Sequence, residues 1–392
     1  MALFGDSTDG KDQHTCPATA AYDVEATKPF VGTLSFHHFN KILSGACVGI
    51  VCLAISILML RHATHLSKPQ EQIKIMKICL LLPLYSITSF LAICFPTAAV
   101  SITPWMEVYQ ALALGSFFLL LCEFLSVDHA GDVDEFFKTY EPPQKPGKSG
   151  VTGIDWLGKQ WLAIWQYPIV ALVVAIATDI TEALDVYCLE SNNVHFAHIW
   201  LTVIGIVSVA IAVISILVFY KGLKSHLKAH NPLAKLLAFK LIVGLAFLEE
   251  ILFTIFHSTG VLKPNATLSQ ADTDIGIPHL VICIQMVPFA LFFPYAYSVA
   301  PYIGRTPYAS SATAWVGLLN PMEILHAMGV AIRLAAHKRK RVRGLASQRP
   351  DGGRDYERLR VQAGARGLHV PVPPPYDPLL RNPSPALMGA RP

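Results

Sequence analysis

Seven mostly apolar stretches of the length that crosses a bilayer, about 20 residues, punctuate the chain. They run Ile42–Leu60, Ile73–Phe95, Met106–Ser126, Leu162–Thr181, Ala197–Tyr220, Leu236–Phe256 and Ile277–Tyr297. The pattern predicts an all-α fold, a seven-transmembrane helix bundle over residues 42–297. The fourth stretch is the least regular, with Pro168 near its start and Asp179 near its end.

The polar connections assign a direction. Arg61, Lys68, Lys74 and Lys77 follow the first stretch, Lys138, Lys145, Lys148 and Lys159 the third, and Lys221, Lys224, Lys228 and Lys235 the fifth. Residues 96–105 and 182–196 carry no Lys or Arg, and 257–276 carry only Lys263. Basic loops stay on the cytoplasmic side. The expected N-terminus is therefore outside or lumenal and the C-terminus cytoplasmic. The glycosylation triplet Asn265-Ala266-Thr267 falls in an expected outer loop. Residues 1–38 lack the apolar core of a cleavable leader, so the first span is expected to direct membrane insertion.

Composition agrees with this pattern. Charged residues make up 15% and apolar residues 53% of the 392, where a soluble protein carries about 25% charged. Residues 1–300 hold 17 Lys and Arg against 22 Asp and Glu, whereas 301–392 hold 14 against 5. An apolar body with a basic tail excludes a disulfide scaffold, a collagen and a disordered chain, and disfavours a cytosolic enzyme. Cys47, Cys52, Cys79, Cys122 and Cys283 lie in spans, where a thiol behaves as a small hydrophobe. Cys16 and Cys188 fall on the outer side and form a candidate disulfide in an oxidising compartment.

Polar groups inside the apolar body are costly and mark function or cross-helix bonding. Tyr85 and Ser89 lie one turn apart on the second span, and Gln110 is on the third with Glu107 one turn earlier. The sixth span carries Glu249 and Glu250, and the seventh Gln285. At about 1.5 Å rise per residue, Tyr85, Glu249, Glu250 and Gln285 fall near the midplane and Gln110 somewhat outward. Tyr85, Ser89, Gln110, Glu249, Glu250 and Gln285 are the expected substrate-binding cluster. A lone glutamine is readily explained as helix-to-helix glue; two adjacent carboxylates are not. Pro288 and Pro294 interrupt the seventh span and free carbonyls one turn back.

Enzymatic constellations are absent. The Glu249-Glu250 pair lacks the arginine of an intramembrane protease motif, since Thr254 stands there. No His-Glu-x-x-His or Gly-x-Ser-x-Gly occurs. His195 and His198 stand one turn apart without a third ligand and read as interface histidines. No metal, cofactor or catalytic residue is expected. The seventh span has no lysine for a retinal, and receptor signatures are missing after spans three and seven.

Several motifs carry a resemblance. Pro83-Leu84-Tyr85-Ser86-Ile87-Thr88-Ser89, then Tyr109-Gln110-Ala111 with Ser116-Phe117 and Leu120-Leu121, occur in order. So do Asn231-Pro232 with Lys235, Lys240 and Phe247, Ile282-Cys283-Ile284-Gln285-Met286, and Pro301-Tyr302. Over residues 39–302 they resemble the organic solute transporter subunit alpha family, with its transmembrane-protein relatives of unknown function, in a fungal-type version. The resemblance implies a seven-helix transporter-like protein moving an organic anion or a lipid- or sterol-like solute. It also implies a small single-span subunit or a second copy as partner. Gln110 and Gln285 replace the usual Glu, and Glu249 the usual Gln, so an acid is expected to have moved to the sixth span. That swap prevents carrying over the family's bile-acid substrates.

The chain divides into an N-terminal arm at 1–38, a transporter-like domain at 39–302, an amphipathic basic juxtamembrane helix at 315–343 and a disordered Pro- and Arg-rich cytoplasmic tail at 344–392. Asn320-Pro321-Met322-Glu323 reads as a helix start. Its apolar face suits the inner leaflet, and Lys338-Arg339-Lys340-Arg341-Val342-Arg343 suits an anionic surface. Pro373-Pro374-Pro375-Tyr376 matches the motif that WW domains bind, with Pro373, Pro374 and Tyr376 as anchors and a ubiquitin ligase as the natural owner. Nothing calls for nucleic acid. The sequence reads as a multi-pass glycoprotein transporter of organic solutes in an endomembrane, vacuolar or plasma membrane. The alternative is a seven-span receptor or trafficking scaffold acting through its tail.

Overall fold

The computed structural model describes residues 28–126, 133–143, 150, 152–188, 195–227, 244–245, 248–249, 252–253, 255–256, 259–304 and 310–346. No strand occurs among them. The helices are α1 (Phe36–Thr64), α2 (Pro69–Cys79), α3 (Leu81–Cys94), α4 (Ala99–Ile102), α5 (Pro104–Ser126), α6 (Val133–Thr139) and α7 (Gly153–Ala183). After them come α8 (Ala197–Leu227), α9 (Ile277–Ala296), α10 (Ser311–Leu319) and α11 (Met322–Ala346). Seven helical stretches among the described residues are long and apolar enough to cross a membrane. Six correspond to the expected spans one to five and seven, the second ending one residue earlier, at Cys94. The seventh is Ser311–Lys338, where an amphipathic surface helix was expected. Its apolar turns in α10 lie ahead of the amphipathic part and raise its hydropathy. The expected sixth span, Leu236–Phe256, lies mostly outside the described residues.

Local chemistry sets the helix ends. Ser35 caps α1 by accepting the His38 amide. The second span is broken at Leu80 into α2 and α3, because Pro83 has no N–H to offer the Cys79 carbonyl. The fourth span passes Pro168 and remains one 31-residue helix. A single π turn, Asp272–Gly276, leads into α9. Asn320 caps α11, its Oδ1 accepting the Met322 amide at 2.9 Å, as the sequence predicts.

The chain divides into two compact units. In the first, Met1–Leu125 with Ala163–Met328, helices α1, α3 and α9 pack pairwise on one another. Cys47, Ile93 and Cys283 meet in that interface. Polar ties close both ends. At one end Asn40 donates from Nδ2 to the Gly276 carbonyl at 2.9 Å. At the other, the Tyr302 hydroxyl donates to Glu71 at 3.0 Å, and His62 lies 3.0 Å from the Tyr297 carbonyl oxygen. Nearby, Lys74 bridges Glu123 of α5 at 3.0 Å and Glu323 of α11 at 3.1 Å. Lys77 donates to the Asn320 carbonyl at 3.2 Å, so the start of α11 is held on α2.

Outward faces are apolar. On α8, Trp200, Val203, Ile204, Val207, Ile211, Ile214 and Val218 are exposed, while Ser208, Ala212, Ile216, Phe219 and Leu223 are buried. A water-facing helix would carry polar groups on its exposed side; this one faces lipid. In the second unit, Ser126–Leu162 with Gly329–Pro392, Phe136, Phe137, Tyr140 and Trp156 form an aromatic knot with ring centroids 5.0–6.1 Å apart. Gly153 is required beside it, because a Cβ there would lie 2.3 Å from the Phe137 carbonyl oxygen.

Candidate functional site

The buried polar groups of the first unit form a directed chain. The Tyr85 hydroxyl on α3 donates to Gln110 Oε1 on α5 at 2.6 Å. Gln110 donates from Nε2 to Tyr167 Oη on α7 at 2.9 Å. The Tyr167 hydroxyl donates to Glu107 Oε2 on α5 at 2.5 Å. The carboxylate accepts only, so Tyr167 must donate to it and take its own hydrogen bond from the Gln110 amide. That leaves the Gln110 oxygen for Tyr85, and every donor points toward Glu107. Tyr85, Gln110 and Tyr167 are each at most 3% exposed, whereas Glu107, in the first turn of α5, is exposed.

Gln285 enters a second group. Its Nε2 donates to Glu249 Oε2 at 2.7 Å, and its buried Oε1 has no hydrogen-bond partner among the described residues. Two residues earlier on α9, Cys283 faces α3, its Sγ 3.7 Å from the Ser86 carbonyl oxygen. Two helical positions are about 200° of rotation, so Gln285 points away from the Tyr85 face. No hydrogen bond among the described residues joins the two groups. Among the described residues, the expected cluster members are seen in two hydrogen-bonded groups, Tyr85 with Gln110 and Glu249 with Gln285. Ser89 lies one turn beyond Tyr85, fully buried, its hydroxyl without a partner among the described residues. Glu250 lies outside the described residues.

Two members escaped the sequence reading. Tyr167 is an aromatic in an apolar span and reads as core; its place beside Pro168 is the only signal it carries. Glu107 was seen only as a neighbour of Gln110. In the structure its carboxylate ends the chain that starts at Tyr85 and passes through Gln110. Further polar ties join α7 to its neighbours. Trp105 donates to Asp179 at 3.3 Å, and Gln166 and Ser208 exchange hydrogen bonds of 2.8 Å.

The remaining expected sites lie in loops. Asn265 is exposed, and its Oδ1 accepts from the Thr267 amide at 2.8 Å, the Thr267 hydroxyl at 2.7 Å and the Leu268 amide at 3.0 Å. Cys188 is disulfide-bonded, and the six other described cysteines form no disulfide. Cys16, Pro373, Pro374 and Tyr376 lie outside the described residues, as does the tail from 347.

Residues 40–302 match the sequence profile of the family described as organic solute transporter Ostalpha. The chain is similar to Protein LAZ1 homolog 1 of Arabidopsis thaliana, at 27% identity over 67% of this chain and 58% of that one. It is similar to a transmembrane protein 184 homolog of Dictyostelium discoideum, at 25% identity over 65% and 51%. It is also similar to the vacuole membrane protein hfl11 of Schizosaccharomyces pombe, at 24% identity over 66% and 62%. The chain thus spans between about half and three fifths of these relatives' lengths. No solved structure matches it. The apolar helices and the profile, which covers the spans and the polar chain between them, make this a multi-pass membrane protein of the organic solute transporter Ostalpha family.

Proposed function

We propose that the protein transports organic solutes, an organic anion or a lipid- or sterol-like molecule, through the helix bundle of its first unit. The observation that carries this reading is the chain Tyr85–Gln110–Tyr167–Glu107. Cross-helix hydrogen bonds in membranes stabilise by about 1 kcal/mol each, and a single pair suffices to tie two helices. A chain from three helices, ending on a carboxylate with no ion-pair partner among the described residues, exceeds what bonding helices together needs. Buried Ser89, without a partner among the described residues, adds a donor on the Tyr85 face. The reading involves no covalent chemistry and no cofactor.

The proposed direction has the Asn265 and Cys188 loops outside or lumenal and the basic loops cytoplasmic. The bonded state of Cys188 supports an oxidising compartment for its loop. The hydrogen bond from the Lys28 amide to the Ala266 carbonyl, 2.8 Å, supports placing the N-terminal arm beside the Asn265 loop. A small single-span subunit or a second copy, and a WW-domain ubiquitin ligase at Pro373, Pro374 and Tyr376, are the partners in this proposal.

Purified protein in liposomes tests the function, with labelled steroid sulfates, sterols and long-chain carboxylates offered in turn. The expected result is flux of one class above protein-free vesicles, abolished by Tyr85→Phe. Absence of flux for every class overturns the reading and favours a scaffold acting through its tail.

A further inference from the structure

We infer that Ser86 and Ser89 of α3 form a binding site for an uncharged hydroxyl on an apolar solute, reached when the seam between α1, α3 and α9 parts. The inference rests on the transport reading above and adds where the solute's neutral polar end is held, and by which groups.

Two buried hydroxyls carry it. Ser86 and Ser89 are both fully buried, and neither hydroxyl has a hydrogen-bond partner among the described residues. Other hydroxyls of the bundle donate to a carbonyl four residues back: Ser44 to Asn40 at 2.6 Å, Ser116 to Leu112 at 2.9 Å and Thr181 to Ala177 at 2.7 Å. A buried donor with nothing to donate to is a standing cost to the closed packing. Three residues apart on one helix, the two side chains are neighbours, with about 5–6 Å between their Cβ atoms. Ile93 lies one turn beyond Ser89 and two beyond Ser86 on that face, and it meets Cys47 of α1 and Cys283 of α9. The Cys283 Sγ also lies 3.7 Å from the Ser86 carbonyl oxygen. The hydroxyl pair is therefore set into the seam where the three helices meet.

The lining decides what the pair can hold. Leu43, Val48 and Val287 pack against the contact of Cys47, Ile93 and Cys283, and these are all uncharged side chains. An ionised group held there would lose its water and find no counter-charge. A hydroxyl needs none. It accepts from one serine and donates to the other, because each serine oxygen can do both. Aliphatic walls around two hydroxyls fit an apolar skeleton bearing a hydroxyl, as in a hydroxysteroid. A solute that also carries an acid group would place that end elsewhere. The flanking helices are weakened where the seam must open. The second span breaks at Leu80, just before α3. Pro288 lies within α9, little more than one turn past Cys283, and leaves the Ile284 carbonyl without its helical donor. A solute hydroxyl entering the parted seam gives both serines the partner that the closed packing denies them.

The test measures equilibrium binding to the full-length protein in detergent. The probes are a radiolabelled monohydroxy steroid and its deoxy analogue, which keeps the ring skeleton and lacks the hydroxyl. Wild type should bind the hydroxysteroid about tenfold more tightly. Ser86→Ala combined with Ser89→Ala should bring both ligands to the affinity of the deoxy analogue. Its melting temperature should stay at or above the wild-type value, because the hydroxyls removed have no partner among the described residues. Ser116→Ala, whose hydroxyl is bonded within its own helix, should keep the preference. Equal affinity for the two steroids in wild type, or a preference that survives the double change, overturns the inference. So does a lower melting temperature in the double variant, which would show that the two hydroxyls already hold the packing together. Absence of flux in liposomes is the separate failure of the transport reading, and the binding comparison decides this site in either case.

Discussion

Glu249 and Gln285 form a direct pair, the amide donating to the carboxylate across 2.7 Å. The pair sits where the family resemblance places an amide and an acid in the reverse order. An amide and a carboxylate are complementary whichever helix carries which, so the exchange preserves the hydrogen bond.

Reversal of this pair should therefore be tolerated where a single change is not. Gln285→Glu puts two carboxylates together and should lower stability by about 1–3 kcal/mol. Adding Glu249→Gln should restore most of it. Melting of the purified variants in detergent measures both, and equal loss in the single and double variants would show that the pair does not interact.

The Tyr302 hydroxyl reaches Glu71, and its ring lies edge-on to His62 at 5.8 Å. Tyr302→Phe keeps the ring and leaves a buried carboxylate short of one donor. The expected cost is about 1–2 kcal/mol, seen as a lower melting temperature. Glu71 keeps its ion pair with Lys68, which limits the loss.

Gly115 and Gly49 should respond in opposite ways to alanine. A Cβ on Gly115 would lie 2.8 Å from the fully buried Trp165 ring, whereas one on Gly49 meets nothing within 4 Å. Gly115→Ala should destabilise by about 1–3 kcal/mol through overpacking. Gly49→Ala, within α1, should be neutral or stabilise by up to about 1 kcal/mol. Thermal unfolding of the two variants side by side checks the contrast.

Tyr187 lies in the loop after α7, and burial, reinforced by nearby Glu182, pushes its phenol up to about 12 from 10.0. The folded state holds this proton more tightly than the unfolded chain does. Its contribution is complete below the unfolded value, 10.0, and is lost as pH rises toward about 12. Tyr187→Phe should flatten the alkaline decline in stability over that window, measured by fluorescence-detected melting. An unchanged decline would place its cause elsewhere.

The lumenal assignment of two loops has a direct chemical check. Non-reducing peptide mapping should join Cys188 to Cys16, and glycosidase treatment should remove mass from the peptide holding Asn265. Modification of Lys263, two residues before Asn265, by an amine reagent confined to the cytoplasm would reverse the proposed topology.

Six of the helical spans, their approximate bounds and the Asn320 cap were legible in the linear chain, because hydropathy over about 20 residues and capping chemistry are local properties. The family was legible too, since motifs such as Pro83 to Ser89 and Ile282 to Met286 survive in order. What the sequence alone determined is an apolar multi-span body with a few costly polar groups inside it. Which of those groups meet was decided by the tertiary structure. Tyr167 joins Gln110 and Glu107 only because α7 is rotated to face α5, and Gln285 turns to Glu249 because Cys283, about 200° around α9, faces α3. Lys74 holds Glu123 and Glu323 across 49 and 249 residues of chain, a contact that no local pattern encodes. Hydrogen bonds between helices depend on rotation and register, and these are set by packing the whole bundle.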